Sequence, residues 1–408
     1  MADAGILPRK RESLHGDEWA DGQWMAQRGE RFSAAAPVSI YEVHLGSWMR
    51  VPEENNRVLT YAELAPKLSD YVQRMGYTHV LILDPTERDL IHLVNFLHQR
   101  QVGVLVDWKT PDIAEARRWL EHFHIDGLSM SDLVGAEFVR ELSVEVERDF
   151  PDVVIIGEGA GATYKFDRGF AQDVRSYLAH TPTERKLHHD RLTFRRMYAF
   201  QDKYIMPLSH RELAPLIRMP GDEWQRFANF RLLLAYMFLQ PGKKLLFMGH
   251  DFGQWREWTA DTSIDWHLTH FHYHQGVQDL VRRLNDTYFH ERSLHESDTK
   301  AECFEWVDCH DAQGGTISWL RWDPTFNQVV FAVFNFTPRV HRNFKVGVPR
   351  GGHWQELINT DAPEYGGSGQ GNFGGVTAAP FGWQGRPNSL NITVPPLAAV
   401  AFKSQQGD

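Results

Sequence analysis

Four polar runs in this chain follow apolar stretches and carry groups able to do acid–base or nucleophilic work. They are Ser129-Met130-Ser131-Asp132, Glu158 after Val154-Ile155-Ile156-Gly157, Ser209-His210-Arg211-Glu212, and Asp251. One chemistry open to carboxyls so placed is displacement at an acetal carbon. With retention it needs one carboxylate as nucleophile and a second carboxyl as acid, then base, about 5 Å away. Glu158 offers one such carboxyl. A serine hydroxyl with no base beside it is a poor nucleophile toward an acetal carbon. A guanidinium near a developing oxocarbenium ion adds positive charge where negative charge should stabilise it. Strand residues alternate faces, so Asp132 points away from any site that Ser131 faces unless a bulge re-aims it.

Elements that could position these groups are legible as apolar runs alternating with helical patterns, which predicts a parallel barrel. Strands are expected at Ser39 to Leu45, His79 to Leu83, Val102 to Asp107, Asp126 to Ser131, Val153 to Glu158, Lys165 to Asp167, Ile205 to Leu208 and Lys244 to Met248. Between them the 3.6-residue period predicts helices, the clearest being Tyr61 to Met75 with Thr60 as its cap and Asp222 to Leu239. Glycine- and proline-punctuated strands from Thr316 to Lys403 then predict a terminal antiparallel β-sandwich. The expected plan is a charged segment over 1–36, a trimmed (β/α)₈ TIM barrel over 37–300 and the sandwich over 301–408. Catalytic groups of such a barrel belong on the βα loops at its C-terminal face.

Longer motifs narrow the reading. Tyr41-Glu42-Val43-His44-Leu45-Gly46-Ser47-Trp48, Met219-Pro220-Gly221-Asp222-Glu223-Trp224, Phe252-Gly253-Gln254-Trp255-Arg256-Glu257-Trp258 and Ser263-Ile264-Asp265-Trp266-His267 stand in order along the chain. Together with Asn359-Thr360-Asp361-Ala362 and Tyr365-Gly366-Gly367-Ser368, they resemble the glycogen branching enzymes of the α-amylase superfamily, from Pro37 to Lys403. The resemblance implies a retaining glucan-chain transferase with Glu158 as general acid. It also implies aspartates where this chain has Ser131 (the nucleophile position) and Arg211 (the third-acid position), and an arginine where it has Ser129. His210 matches, and Trp255 and Trp258 are candidate substrate-binding residues, core packing being the alternative for the indoles. Further departures are expected losses. The family's amino-terminal glucan-binding sandwich is missing, and Asp84-Pro85-Thr86-Glu87 and Lys109-Thr110-Pro111 replace long loops that line the glucan cleft.

Composition sets outer bounds. A net charge of −10 argues against nonspecific nucleic-acid binding. No apolar run is long enough for a membrane span and no signal-peptide core is evident, so a cytoplasmic protein is expected. Cys303 and Cys309 are expected as two buried free thiols. The histidines at 267, 270, 272 and 274 lack the spacing of a metal site, and no phosphate or dinucleotide motif is present, so neither metal nor cofactor is expected. The resulting expectation is a branching-enzyme-like pseudoenzyme of glycogen or α-glucan metabolism that binds α-glucan or a protein of that metabolism. The alternative is an active enzyme that pairs Glu158 with a non-standard carboxylate, Asp132 or Asp251.

Overall fold

The computed structural model describes residues 19–130, 134–210 and 219–405. Eight parallel strands form the first sheet: β1 (Ser39–His44), β2 (His79–Leu83), β3 (Gly103–Trp108), β4 (Gly127–Met130), β5 (Val154–Ile156), β6 (Lys165–Phe166), β7 (Tyr204–Leu208) and β8 (Lys243–Phe247). Each hydrogen-bonds its chain neighbour except that β5 and β6 stand at the two ends of the sheet, and β8 returns to β1 with Lys244 opposite Ser39. A parallel bridge from Ile156 to Tyr164 joins β5 to the approach of β6 and closes the barrel. The expected strands are all present, displaced by a residue or two at their ends.

Side-chain alternation sorts the strand residues into two cores. Ile40, Leu81, Leu105, Ile156, Ile205 and Leu245 fill the barrel interior. Val80, Val104, Val106 and Leu128 face outward beneath the helices. Helix α1 (Tyr61–Met75) begins at a reciprocal capping box, Thr60 with Glu63, and ends at Gly76 in the left-handed conformation. The helices α2 (Leu90–Gln99), α3 (Ile113–Phe123), α4 (Ala136–Asp149), α5 (Arg168–Ala179) and α6 (Glu223–Leu239) follow their strands, and α7 (His272–His290) closes the outer ring. None of the described helices is long and apolar enough to cross a membrane.

The underside of the barrel carries part of the segment over 1–36 that is read as charged chain. Its described part, residues 19–36, makes two short helical turns, Gly22–Met25 and Arg28–Arg31, that plug the N-terminal end. Phe32 packs edge-on to His79 and Tyr164. Trp24 stacks on His98 and donates its indole N–H to Asp126 at 2.9 Å. His98 is held between Asp21 at 2.9 Å and Asp126 at 3.0 Å, out of water. Burial works against all three charges, but their mutual attraction wins. The two carboxyls fall below their usual range, and His98 rises above its own. Four-residue helices carry no period, so order here comes from long-range polar pairing that periodicity cannot register.

After α7 the chain enters two antiparallel sheets. One has six strands in the order β9 (Phe304–Asp308), β10 (Thr316–Trp322), β11 (Val329–Asn335), β16 (Ala398–Ser404), β13 (Gly352–Asn359), β14 (Gly375–Ala378). The other pairs β12 (His341–Val348) with β15 (Asn388–Val394). Their facing apolar residues, among them Phe331, Val346, Leu390 and Phe402, make the second core of a sandwich. The opposite face of the large sheet merges with the barrel's outer core through Trp319, Phe334 and Ala401. Arg321 and Lys243 converge on buried Asp298 at 3.1 and 3.3 Å and tie the two parts together. Cys303 is buried as expected, whereas Cys309 is only half-buried, because it follows β9 at the surface beside His310; both thiols are free.

Candidate functional site

The chemistry-bearing residues belong at the C-terminal mouth of the barrel, where strands deliver side chains and loops close over them. The inward phase of β1, β3, β4 and β7 brings Glu42, Asp107, Ser129 and Ser209 to this mouth, with Arg168 from the start of α5. The cavity they line, among the described residues, measures about 30 Å³. That is room for little more than one water. Small-molecule sites begin at roughly 300 Å³.

Two short connections help to shut it. Lys109, on the reduced loop after β3, pairs with Asp84 after β2 and lies 3.6 Å from the Asp107 carboxylate. Across the mouth, Trp258 covers the ends of β1, β7 and β8. Its ring packs edge-on to His44, His210 and Phe247 at 5.4, 5.7 and 5.5 Å. The indole N–H donates to Ser47 Oγ at 2.7 Å, so the Ser47 hydroxyl is free to donate to His44 Nδ1 at 2.8 Å. That direction fits a neutral imidazole, and burial does hold His44 below its ordinary pKa. At the end of β8, next to Phe247 and the Leu208 carbonyl, burial lowers His250 to about 4. Buried Glu42 accepts the backbone N–H of His210 at 3.3 Å and lies 3.1 Å from its Nδ1.

The sequence-derived candidates distribute as follows. Glu158 lies two residues beyond β5, exposed, and makes no hydrogen bond or ion pair among the described residues. Ser131 and Arg211 lie outside the described residues, as do Asp132 and Glu212. His210 and Trp258 come together at the mouth. Trp255 does not join them: it packs against Phe227 of α6 and His274 of α7. Asp251 is fully buried away from the mouth cavity, hydrogen-bonded to the Tyr71 hydroxyl and the Gly249 N–H, and burial raises it to about 7. Four histidines at 267–274 form no cluster with a third ligand among the described residues. Sequence reasoning missed Glu42 and Asp107. The signal was available: each is a charged residue in the inward phase of an apolar strand, two after Ile40 and two after Leu105.

A larger concavity, about 860 Å³, opens at the opposite, N-terminal end of the barrel. Arg31, Gln73, Arg100, Gln101 and Asp286 line it with Phe289, a mixed-charge surface over the plug.

Comparison with known proteins places this geometry in context. Residues 306–405 match the family model described as alpha amylase, C-terminal all-beta domain. The 1,4-alpha-glucan branching enzyme GlgB of Aquifex aeolicus is 38% identical, covering 95% of this chain and 80% of its own. The protein of the same description from Rubrobacter xylanophilus is 36% identical, with 94% and 69% covered. The Aquifex match runs over 501 residues, whereas 95% of 408 is about 388, so more than a hundred of its positions have no residue here. Among solved structures, an alpha-amylase from Geobacillus thermoleovorans complexed with acarbose superposes with a TM-score of 0.68 at 13% identity, covering 91% of this chain and 99% of its own. Type I pullulanase from Bacillus subtilis complexed with maltose gives 0.69 at 13% identity, with 98% and 73% covered. At such identities the likeness is one of fold.

Proposed function

The chain belongs to the 1,4-α-glucan branching enzyme family, and on that premise we propose that it is a catalytically silent member of α-glucan metabolism that engages glucan without cleaving and transferring it. The observation that carries the reading is the filled mouth. A retaining transferase must admit a glucosyl unit between two carboxyls about 5 Å apart. Here the cavity left among the described residues is about 30 Å³, and its carboxylates are already engaged, Glu42 by His210 and Asp107 by Lys109. Glu158 stands exposed to solvent, outside that cavity. Serine at 131 and arginine at 211 remove the other two acids that the family resemblance requires at those positions.

The experiment is a binding and turnover pair on the purified chain. Glycogen or amylose is expected to raise its melting temperature, since a ligand preferring the folded state stabilises it. No new α-1,6 branch points are expected to accumulate. A chain inert to every α-glucan would overturn the binding half of the proposal. It would favour a second reading supported by the same shallow mouth, that of a docking surface for another protein of glucan metabolism. Branching abolished by Glu158→Gln would overturn the silent half and point to an active enzyme using a non-standard second carboxylate.

A further inference from the structure

The hairpin between β14 and β15 is built more firmly than its exposure requires. Ala379 and Ser389 exchange two backbone hydrogen bonds at its base, at 2.8 and 3.0 Å, and Trp383 and Arg386 exchange two more at its tip, both 3.0 Å. The turn residues Gln384 and Gly385 have φ of 50° and 75°, the pattern of a type I′ turn. Glutamine is not a residue that favours this conformation, and its side chain supplies a tether: Oε1 accepts the Gly347 N–H at 3.0 Å. Gly347 must be glycine, since a Cβ there would come within 2.0 Å of the Trp383 carbonyl oxygen. On the other side Arg386 donates to the Trp306 carbonyl at 2.9 Å and pairs with Glu305.

That support displays two aromatic rings to water. Phe381 is 69% exposed and Trp383 46%. The Lys345 ammonium sits 4.7 Å over the Trp383 ring, which orients the indole and leaves a hydrogen-bond donor beside it. We propose that Phe381 and Trp383 form a binding platform for an α-glucan chain, separate from the barrel mouth. The proposal rests on the reading of this protein as one that engages α-glucan. An aromatic plane matches the apolar C–H face of a hexose ring, and Lys345 can donate to its hydroxyls. The area favours this ligand over a protein. At 150–250 Å² per aromatic side chain, the two rings expose roughly 250 Å², against about 800 Å² per partner in a stable protein interface. A narrow neutral polymer, held at repeated sites along its length, suits a platform of that size.

Native-gel affinity electrophoresis in glycogen tests it, with the whole chain, Phe381→Ala, Phe381→Ala/Trp383→Ala and Trp258→Ala compared at equal melting temperature. Phe381 is a surface residue, so its single variant keeps the test valid if the double variant misfolds. The expected result is retardation of the parent chain by glycogen. The apparent Kd should rise about ten-fold in the double variant and less in Phe381→Ala. Retardation unchanged in the Phe381 and Trp383 variants would overturn the platform and leave glucan binding by the protein standing. Loss confined to Trp258→Ala would place the glucan at the mouth instead. An unretarded parent chain would overturn the platform together with the glucan reading beneath it.

Discussion

At the residue scale, the proposal of silence rests on the mouth, where Glu42 is engaged by His210 and Asp107 by Lys109. Glu158 is exposed and has no hydrogen bond or ion pair among the described residues, so on the proposed reading branch-point formation is expected at background in both the parent chain and Glu158→Gln. Asp251 is the other carboxyl that could have been recruited, and its setting argues against that. Burial raises it to about 7, whereas an unfolded aspartate titrates near 3.8. Between those values the folded chain holds a proton that the unfolded chain releases, so this residue's contribution to stability falls as pH rises from about 4 to about 7. Asp251→Asn is therefore expected to flatten that part of the stability–pH profile, measured by urea denaturation at pH 5 and pH 8. A variant profile parallel to the parent's would show Asp251 ionised throughout. The identity of these residues was legible in the sequence, and so was the inward phase of Glu42 and Asp107. Their partners were not, because Lys109 reaches Asp107 and Trp258 reaches His44 only through loop paths that no local pattern encodes.

At the scale of elements, strands and long helices followed directly from period and caps. Thr60 with Glu63 marks α1 to the residue, and the alternation of β1 to β8 sets which side chains look inward. The plug over 19–36 was illegible for a physical reason: its order depends on Asp126, about a hundred residues away in sequence. That dependence is measurable. Asp126→Ala would leave His98 and the Trp24 indole facing an empty acceptor in a dry interior. Removing one partner of such a network costs roughly 3–5 kcal/mol, to be read as a lower midpoint of denaturant unfolding with unchanged slope. A loss below about 1 kcal/mol would mean that the plug is held by Phe32 and Trp24 packing alone. The hairpin at Trp383 is a second element hidden from pattern reading, since a type I′ turn with glutamine at its first position is not a sequence signal.

At the scale of the whole molecule, the proposed reading separates fold from chemistry. The barrel interior keeps its own core, and the helical ring shares a continuous outer core with one face of the large sheet, so on the proposed reading chemistry is lost from a scaffold that still stands. On the proposed reading, loop loss and acid loss reinforce each other, so Ser131→Asp with Arg211→Asp is expected to remain without branching activity on amylose. Robust branching in that double variant would show that the shortened loops were dispensable. The most direct measurement is made on the unaltered chain. Purified protein is incubated with amylose, iodine absorbance and new α-1,6 linkages are followed, and Glu158→Gln is run beside it. Background rates in both are expected; branching by the parent chain that vanishes in Glu158→Gln would contradict the silent reading outright.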